Sequence, residues 1–289
     1  MRVLCLGDIV GKAGRQAVCE LLPRAMSEHR VDLVIANGEN IAGGSGITQN
    51  LFRKLRSYGV DAVTLGDHYH RKNDIYDILN SSDRIVRPAN LAATTPGKSH
   101  VVFRAAGGTS EDPREVLVGL FAVAGRLFMP SLPADNPFAA ADRVLKSLPT
   151  TCKVIICDIH AEATSEKVAM GWHLDGRASI VFGTHTHIPT ADATILPNGT
   201  AYITDLGMCG PYDSVLGRRK DAVLSWMADG VPQPFDVATN DVRLCGILVD
   251  LDDTTGRASH IERFEMRGTS SDQAYDAEDS QNYRDEDDD

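Results

Sequence analysis

The stretch "VTLGDHYHRK", residues Val63–Lys72, begins as an apolar strand and changes character at Gly66. Three titratable side chains, Asp67, His68 and His70, then fall within four positions. Several other apolar runs along the chain also end in acidic residues, amides or histidines. In open α/β sheets, ligands bind beyond the carboxyl ends of the strands. The stretch therefore predicts both an α/β fold and the edge of the sheet where a functional site lies.

Apolar runs alternate with amphipathic stretches along most of the chain. The predicted strands are Arg2–Asp8, Asp32–Asn40, Asp61–Asp67, Arg114–Gly125 (as one strand or two), Lys153–Glu162, Ala178–His187, Thr200–Met208 and Cys245–Asp252. The predicted helices are Gly14–His29, Gln49–Ser57, Asp74–Leu79 and Phe138–Ser147. This alternation predicts the α/β class, with helices on both faces of the β-structure. The shorter links late in the chain indicate an antiparallel portion.

The net charge of −11 is unevenly distributed over the 289 residues. About −8 of it falls in residues 269–289, so the rest of the chain carries only about −3. We expect residues 1–266 to form one folded domain and residues 267–289 to form an acidic, disordered tail, because that segment lacks apolar residues to bury. Such a tail either raises solubility or serves in docking.

Composition also limits the class of protein. Apolar residues make up 43% and charged residues 24%, which is typical of soluble globular proteins. No basic stripe is present, so we expect no stable binding of nucleic acid. We find neither an apolar run of membrane-spanning length nor a leader, so we expect no membrane association and a cytoplasmic location.

The six cysteines lack C-x-x-C spacing and are expected to be reduced and buried.

Chemistry-bearing side chains stand at the ends of five predicted strands. They are Asp8, Glu39 with Asn40, Asp67 with His68, Asp158 with His160, and His185 with His187. Together these carboxylates, carboxamide and imidazoles suit iron, manganese or zinc. Taken singly, Asp8 could cap a helix and His160 could be a core histidine. The H-x-H spacing of the last pair predicts two rings on one face of a strand. The set as a whole predicts a metal centre.

The same residues carry a resemblance to a known family. The series "NGEN", "LGDH", "HAE" and "GTHTH" resembles the calcineurin-like metallophosphoesterases. The segments "VIANGENIAGGSGIT" and "HAEATSEKVAMGWHLDGRASIVFGTHTHIPTADATIL" further resemble the YmdB-like bacterial 2′,3′-cyclic-nucleotide 2′-phosphodiesterases. The likeness runs from Met1 to about Glu265. It implies a four-layer α/β/β/α metallophosphoesterase sandwich with mixed sheets, in a domain that covers residues 1–266.

The resemblance also implies two metal ions, usually iron, with manganese or other divalent ions able to substitute. One ion would be held by Asp8, Glu39, Asn40 and His187, and the other by Glu39, Asp67, His160 and His185. Glu39 would bridge the two, and His68 would act as general acid. The implied reaction opens 2′,3′-cyclic nucleotides to 3′-nucleotides, with a metal-bridging hydroxide as nucleophile. The family commonly forms homo-oligomers.

Asp67 departs from the family pattern, which has Gly-Asn-His where this chain has Gly-Asp-His. A carboxylate can still ligate a metal, but it offers no N–H to a substrate phosphate, and its charge reduces the Lewis acidity of the metal. We therefore predict slower turnover or an altered metal preference. Two alternatives stay open: a hydrolase of other phosphoesters, and a regulatory metal-binding protein with weak activity.

Other polar positions are assigned lesser roles. Asn90 and Asp205 are expected either to support the site or to stabilise turns. Asp158 has no counterpart among the family's ligands and is expected to be structural. The glycine-rich residues Gly43–Gly46 are interpreted as a flexible loop more than a phosphate-binding loop. His70 is expected to be an exposed loop residue.

Overall fold

Two β-sheets packed face to face form the middle of the molecule in the computed structural model, which describes residues 1–108, 113–130 and 132–268. The first sheet contains, in spatial order, β13 (Ala258–Arg267), β12 (Val242–Leu251), β11 (Met208–Pro211), β1 (Arg2–Ile9), β2 (Leu33–Asn37), β3 (Ala62–Thr64) and β4 (Ile85–Val86). The second contains β5 (His100–Gly108), β6 (Pro113–Ala124), β7 (Val154–His160), β8 (Ile180–Thr184), β10 (Ala201–Ile203) and β9 (Thr194–Ile195).

Helices cover the outer face of each sheet. The first sheet is covered by α1 (Gly11–His29), α2 (Gln49–Ser57) and α3 (Tyr76–Ser81), the last preceded by a 3₁₀ turn at Asn73–Ile75. The second is covered by α4 (Pro137–Ser147) and α5 (Thr164–Leu174). A further helix, α6 (Lys220–Asp229), lies between β11 and β12 in the chain. The predicted α/β class and four-layer α/β/β/α sandwich with mixed sheets are confirmed.

Alternation along the strands separates the apolar residues into distinct cores. In β1, Val3 and Cys5 face the second sheet, whereas Leu4 and Leu6 face α1 and α2. A third core lies between β6, β7 and β8 on one side and α4 and α5 on the other. Successive side chains of a strand point to opposite faces of the sheet, so each central strand contributes to two cores. Burial on both faces explains why these strands are apolar runs in the sequence.

The core between the two sheets ends in a polar layer. β2 and β3 run parallel in the first sheet, and β7 and β8 run parallel in the second. Their inward-facing residues are apolar until the carboxyl ends, where the polar ones are Asn37, Thr64, Asp158, His160 and Thr184. Both sheets thus present polar side chains at the same edge, directly below the loops that follow the strands.

Four predicted strands were wrong in extent. The run Thr200–Met208 is divided between β10 and β11, which belong to different sheets, because residues 204–207 cross from one sheet to the other. The runs Asp32–Asn40, Asp61–Asp67 and Ala178–His187 each end as a strand three residues early, at Asn37, Thr64 and Thr184. The other predicted strands and three of the four predicted helices are present with bounds shifted by a few residues. The fourth helix, α2, has the predicted bounds. The predicted antiparallel portion is confirmed by the pairing of β12 with β1, β11 and β13.

Several elements were not predicted from the sequence. The strand β13 is half exposed, and its sequence "ASHIERFEMR" is too polar to look like a buried strand. The strand β5, the short strands β4 and β9, and the helices α5 and α6 were also missed. Arg267, placed in the predicted tail, is the last residue of β13 and pairs with Arg243. Residues 269–289 lie outside the described residues, so the disordered tail stays a prediction.

The described helices include none whose length and hydropathy would suit a bilayer crossing. All six cysteines are free, and five of them are buried, as expected; Cys19 is exposed.

Candidate metal centre

The structure brings all eight predicted site residues together at the carboxyl edge of the central strands. Each one ends a strand or lies in the loop after it: Asp8 (β1), Glu39 and Asn40 (after β2), Asp67 and His68 (after β3), His160 (β7), and His185 and His187 (after β8). Contacts between these side chains join residues as far apart as Asp8 and His187. The strand-end pattern therefore predicted that these side chains lie close together.

Four of these residues form a tight cluster. One ligand atom from each of Glu39, Asp67, His160 and His185 lies within 4.8 Å of all the others. His160 Nε2 lies 2.9 Å from Asp67 Oδ1 and 3.2 Å from Glu39 Oε1. His185 Nδ1 lies 3.4 Å from the same Asp67 oxygen. These are the four residues that the family resemblance implies for one of the two ions.

The chemistry of the cluster suits a cation. His160 Nε2 and His185 Nδ1 face each other at 3.0 Å, beside two carboxylates. Burial by itself lowers the pKa of His160, but Glu39 and Asp67 outweigh it and hold that pKa well above its usual value. The two carboxylates thus favour positive charge at this position, which a metal ion would supply. Metal binding at such a site releases protons.

Gly66 leaves the space that the cluster needs. A Cβ atom at this position would lie 2.2 Å from His160 Nε2 and 2.4 Å from Glu39 Oε2. Glycine thus lets the chain pass close to the donor atoms on its way to Asp67. Together with the donor types, this cradle shows that the residues fit a metal ion.

Gly66→Ala is expected to displace His160 and to lower the affinity for metal at this cluster by at least ~10-fold. The measurement is manganese bound per chain after dialysis, determined by elemental analysis. Gly268→Ala provides a control, because a Cβ there would meet its nearest neighbour, Val242 O, at an ordinary 3.5 Å. Equal manganese content in Gly66→Ala and the parent would contradict the claim that the cluster needs the space left by Gly66.

The second group, around Asp8, is looser. Asn40 Nδ2 lies 3.4 Å from Asp8 Oδ1, 3.2 Å from Glu39 Oε1 and 3.2 Å from His187 Nε2. An amide nitrogen does not ligate a metal ion, so a ligand role for Asn40 requires the opposite orientation of its amide. That rotation exchanges two atoms of similar size. Burial raises the pKa of Asp8, which a cation beside it would reverse.

Neighbouring groups orient two of the site's histidines, His187 and His160. His187 Nδ1 contacts the carbonyl oxygen of Leu216 at 3.0 Å, which leaves Nε2 to face Asp8. His160 Nδ1 contacts Thr184 Oγ1 at 2.8 Å, which leaves its Nε2 for the cluster. His185 has the reverse arrangement, with Nδ1 toward the cluster. Such contacts fix the tautomer that a metal-binding imidazole needs.

The H-x-H pair does not lie on a strand face, so that part of the prediction was wrong. β8 ends at Thr184, and His185 and His187 both have left-handed backbones, with φ of 95° and 65°. The chain turns at each histidine, and the two rings consequently point to different groups: His185 to the tight cluster and His187 to Asp8. A straight strand would have placed both rings side by side.

Asp158 lies beneath the cluster and is fully buried. Its carboxylate accepts hydrogen bonds from Thr64 Oγ1 at 2.6 Å, Thr184 Oγ1 at 2.7 Å and Asn37 Nδ2 at 3.0 Å. Because the Thr184 hydroxyl donates to Asp158, its oxygen is left to accept from His160 Nδ1. Burial raises the pKa of Asp158 to about 6. The expected structural residue therefore also orients a site histidine.

Sequence reasoning missed Asn37, Thr64 and Thr184. Each of them is a polar residue in an otherwise apolar strand, on the same face as the core between the sheets. That departure from the apolar pattern is the only sign of their role in the sequence.

His68 stands beside the cluster with one side open to solvent. Its backbone N–H donates to Glu39 Oε2 at 3.1 Å, and its Nδ1 lies 2.7 Å from Asn40 Oδ1. A quarter of its side chain is exposed, whereas Glu39 and His160 are almost fully covered. Burial lowers the pKa of His68, but Glu39 outweighs this effect and raises it above the usual value. His68 can therefore hold a proton near a molecule bound at the cluster.

The residues assigned lesser roles lie around the site or away from it. Asn90 bonds backbone groups at Ala124 and Asp135, and Ala124 pairs with His160 between β6 and β7. His70 is exposed. The carbonyl oxygens of Gly43 and Gly44 accept hydrogen bonds from Arg218, so an arginine holds the loop that the sequence suggested was flexible.

Comparison with known proteins identifies relatives over almost the whole chain. The family model described as "YmdB-like protein" matches residues 4–264. The 2′,3′-cyclic-nucleotide 2′-phosphodiesterase of Bacillus subtilis is 43% identical over 263 residues, which cover 91% of this chain and 96% of that protein. The crystal structure of a hypothetical protein from Thermus thermophilus is 40% identical, with a TM-score of 0.82, and covers 93% of this chain and 100% of that one. A Mycoplasma pneumoniae phosphatase is 32% identical, with a TM-score of 0.83 and coverage of 92% and 93%.

Proposed function

The chain belongs to the YmdB-like family, and from that premise we propose that it is a dinuclear metal-dependent phosphodiesterase. Its substrates would be 2′,3′-cyclic nucleotides, and its products 3′-nucleotides. The observation that carries the proposal is the cluster of four donor side chains, from several different strand ends, within 4.8 Å. The Bacillus subtilis relative named for this activity supports the choice of substrate.

The proposed ligands are divided between the two groups of side chains. Glu39, Asp67, His160 and His185 would hold one ion, and Asp8, Asn40 and His187 would hold the other together with Glu39. Glu39 suits the shared position because its Oε1 lies close to both His160 and Asn40. Iron is the proposed metal, with manganese or another divalent ion able to replace it, since this donor set is rich in carboxylate and imidazole.

The reaction requires water to attack phosphorus while the 2′-oxygen of the ribose leaves. When bound, the two ions would lower the pKa of water and neutralise charge on the phosphate. His68 would donate its proton to the leaving 2′-oxygen, because it is partly exposed beside the cluster and its pKa is raised. Asp158 and Thr184 would hold the His160 ring in place throughout. The product is then a 3′-phosphate.

Asp67→Asn is expected to increase turnover of 2′,3′-cyclic AMP by about 5- to 30-fold, the equivalent of about 1–2 kcal/mol in the barrier. The amide removes one negative charge near an anionic substrate and supplies an N–H donor. The measurement is kcat and KM with metal content determined on both proteins. Slower turnover by an Asp67→Asn variant that still binds two ions would show instead that the carboxylate serves the reaction.

Two further functions compete with this proposal. The Mycoplasma pneumoniae neighbour is named a phosphatase, which favours other phosphoesters as substrates of the same centre. The carboxylate of Asp67 favours a regulatory metal-binding protein with weak activity.

A cytoplasmic location and a homo-oligomeric state belong to the main proposal. Light scattering on the full chain tests the oligomeric state.

Substrate competition separates these functions. The full chain, loaded with manganese, is offered 2′,3′-cyclic AMP together with a phosphopeptide or an RNA bearing a terminal phosphate. We expect the cyclic nucleotide to be hydrolysed preferentially and the activity to disappear with a chelator. Preferential hydrolysis of a competitor would favour the broader phosphatase, and bound metal without any turnover would favour the regulatory protein.

A further inference from the structure

A fully buried ion pair lies behind the loop that carries His185 and His187. Lys167, in the first turns of α5, and Asp205, between β10 and β11, are each 1% exposed at the side chain. Lys167 Nζ lies 2.6 Å from Asp205 Oδ2. Neither residue belongs to the eight that surround the proposed ions. Burying two opposite charges costs hydration free energy that their mutual attraction often does not recover, so a contribution to stability does not by itself explain this pair.

Asp205 extends from Lys167 to the histidine loop. Thr186, the residue between the two histidines, donates to Asp205 Oδ2 from its hydroxyl at 2.7 Å and from its backbone N–H at 3.3 Å. The other carboxylate oxygen, Oδ1, accepts from the backbone N–H of Gly207 at 2.8 Å. Gly207 in turn accepts from the backbone N–H of Asp8 at 3.2 Å. One carboxylate thus links the histidine loop to the strand end that carries Asp8.

The path of the Lys167 side chain depends on a glycine in β8. A Cβ at Gly183 would lie 2.8 Å from Lys167 Cδ and 1.8 Å from the carbonyl oxygen of Thr204. The stem of Lys167 therefore passes over the strand at a residue that leaves room for it. Among the described residues, Asp205 provides the single carboxylate within salt-bridge distance of the Lys167 ammonium group.

The loop needs such a support because its backbone is strained. His185 and His187 both adopt left-handed conformations, which non-glycine residues rarely take and which persist only when surrounding contacts impose them. Thr186 lies between them, and both its backbone N–H and its hydroxyl donate to Asp205. Without a fixed acceptor for Thr186, the two histidines would be free to leave the positions that face the cluster and Asp8.

We propose that Lys167 is a positioning residue for the metal centre: it holds Asp205, and Asp205 holds the His185–His187 loop in its strained conformation. This inference rests on the proposed function, because the two histidines are proposed ligands. Lys167 contacts neither substrate nor metal in this scheme. Its effect reaches the site through one carboxylate and one threonine.

The test compares Lys167→Met and Thr186→Val with the full-length parent. Hydrogen exchange of the peptide covering residues 183–190 is followed without metal, and manganese affinity is titrated separately. We expect Lys167→Met to speed exchange in that peptide at least ~10-fold and to raise the manganese Kd by about 10- to 100-fold. Thr186→Val removes the hydroxyl that contacts Asp205 but keeps the ion pair, so we expect smaller increases in the exchange rate and in the manganese Kd. This variant tests the link between Asp205 and the loop if Lys167→Met folds poorly.

The control is Arg114→Met, which breaks a different, partly buried ion pair, with Asp253 at 2.6 Å, at the end of β6 opposite to the site. It should change neither quantity. Unchanged exchange in both test variants, or an equal increase in Arg114→Met, would overturn the inference. Failure of the parent to bind manganese would contradict the proposed metal centre, whereas the exchange measurement, made without metal, still decides whether Lys167 holds the loop.

Discussion

Replacing His68 by alanine is expected to lower kcat for 2′,3′-cyclic AMP by about 10²- to 10⁴-fold while both metal ions stay bound. The reason is geometric, because His68 lies beside the cluster but is partly exposed and is not among the four closely spaced donors. Its backbone N–H contact with Glu39 survives the substitution. The measurement combines steady-state kinetics with elemental analysis of the same samples.

The control for this variant is His70→Ala, two residues further along the same loop and exposed. It should keep its activity. If His68→Ala lost its ions together with its activity, His68 would be a ligand or a support of the site and not the acid. If it kept both, another group would supply the proton.

The pH dependence of the parent follows from the same residue. A general acid acts in its protonated form, so kcat should fall as pH rises through the pKa of His68. Glu39 raises that pKa in the metal-free protein, against the effect of burial. Bound cations would oppose the increase, so the alkaline limb of kcat should lie below the pKa that NMR finds without metal. His68→Ala should lose this limb, and its persistence would contradict the assignment.

Glu39→Gln is expected to reduce bound metal below two ions per chain and to lower turnover by at least ~10³-fold, because Glu39 is the proposed ligand of both ions. Glutamine has nearly the same side-chain volume as glutamate but lacks the negative charge that His160, His68 and Asn40 contact. Burial by itself raises the pKa of Glu39, but His160 and His68 outweigh it and hold that pKa below its usual value. Metal content and turnover are measured together.

An exposed acid provides the comparison for this substitution. Glu262 lies on β13, far along the chain from the eight site residues, and Glu262→Gln should leave metal content and turnover unchanged. Two ions per chain in Glu39→Gln would rule out the bridging position. A loss of one ion with substantial turnover would show that a single ion suffices for the reaction.

The convergence of these side chains was predictable because it depends on a rule about strand ends. Asp8, Glu39, Asp67 and His160 follow apolar runs, and parallel strands in a packed sheet bring their carboxyl ends to one edge. The quartet implied by the family resemblance also proved to be the tight cluster.

The supporting contacts were not predictable because they depend on which segments meet in space. Thr184 reaches His160 only because β8 pairs with β7, and Asp205 reaches Thr186 only because the chain crosses between the sheets after β10. Lys167 lies on α5, a helix that the sequence pattern did not reveal. The left-handed backbones at His185 and His187 were likewise not predictable, because the H-x-H spacing alone favoured a straight strand.

The most direct test of the proposed dinuclear phosphodiesterase activity is a titration of the metal-free full chain with manganese while the product formed from 2′,3′-cyclic AMP is identified. We predict that 3′-AMP appears and that its rate of formation reaches a plateau at about two ions per chain. Saturation with both ions without any 3′-AMP, or release of 2′-AMP in its place, would contradict the proposal.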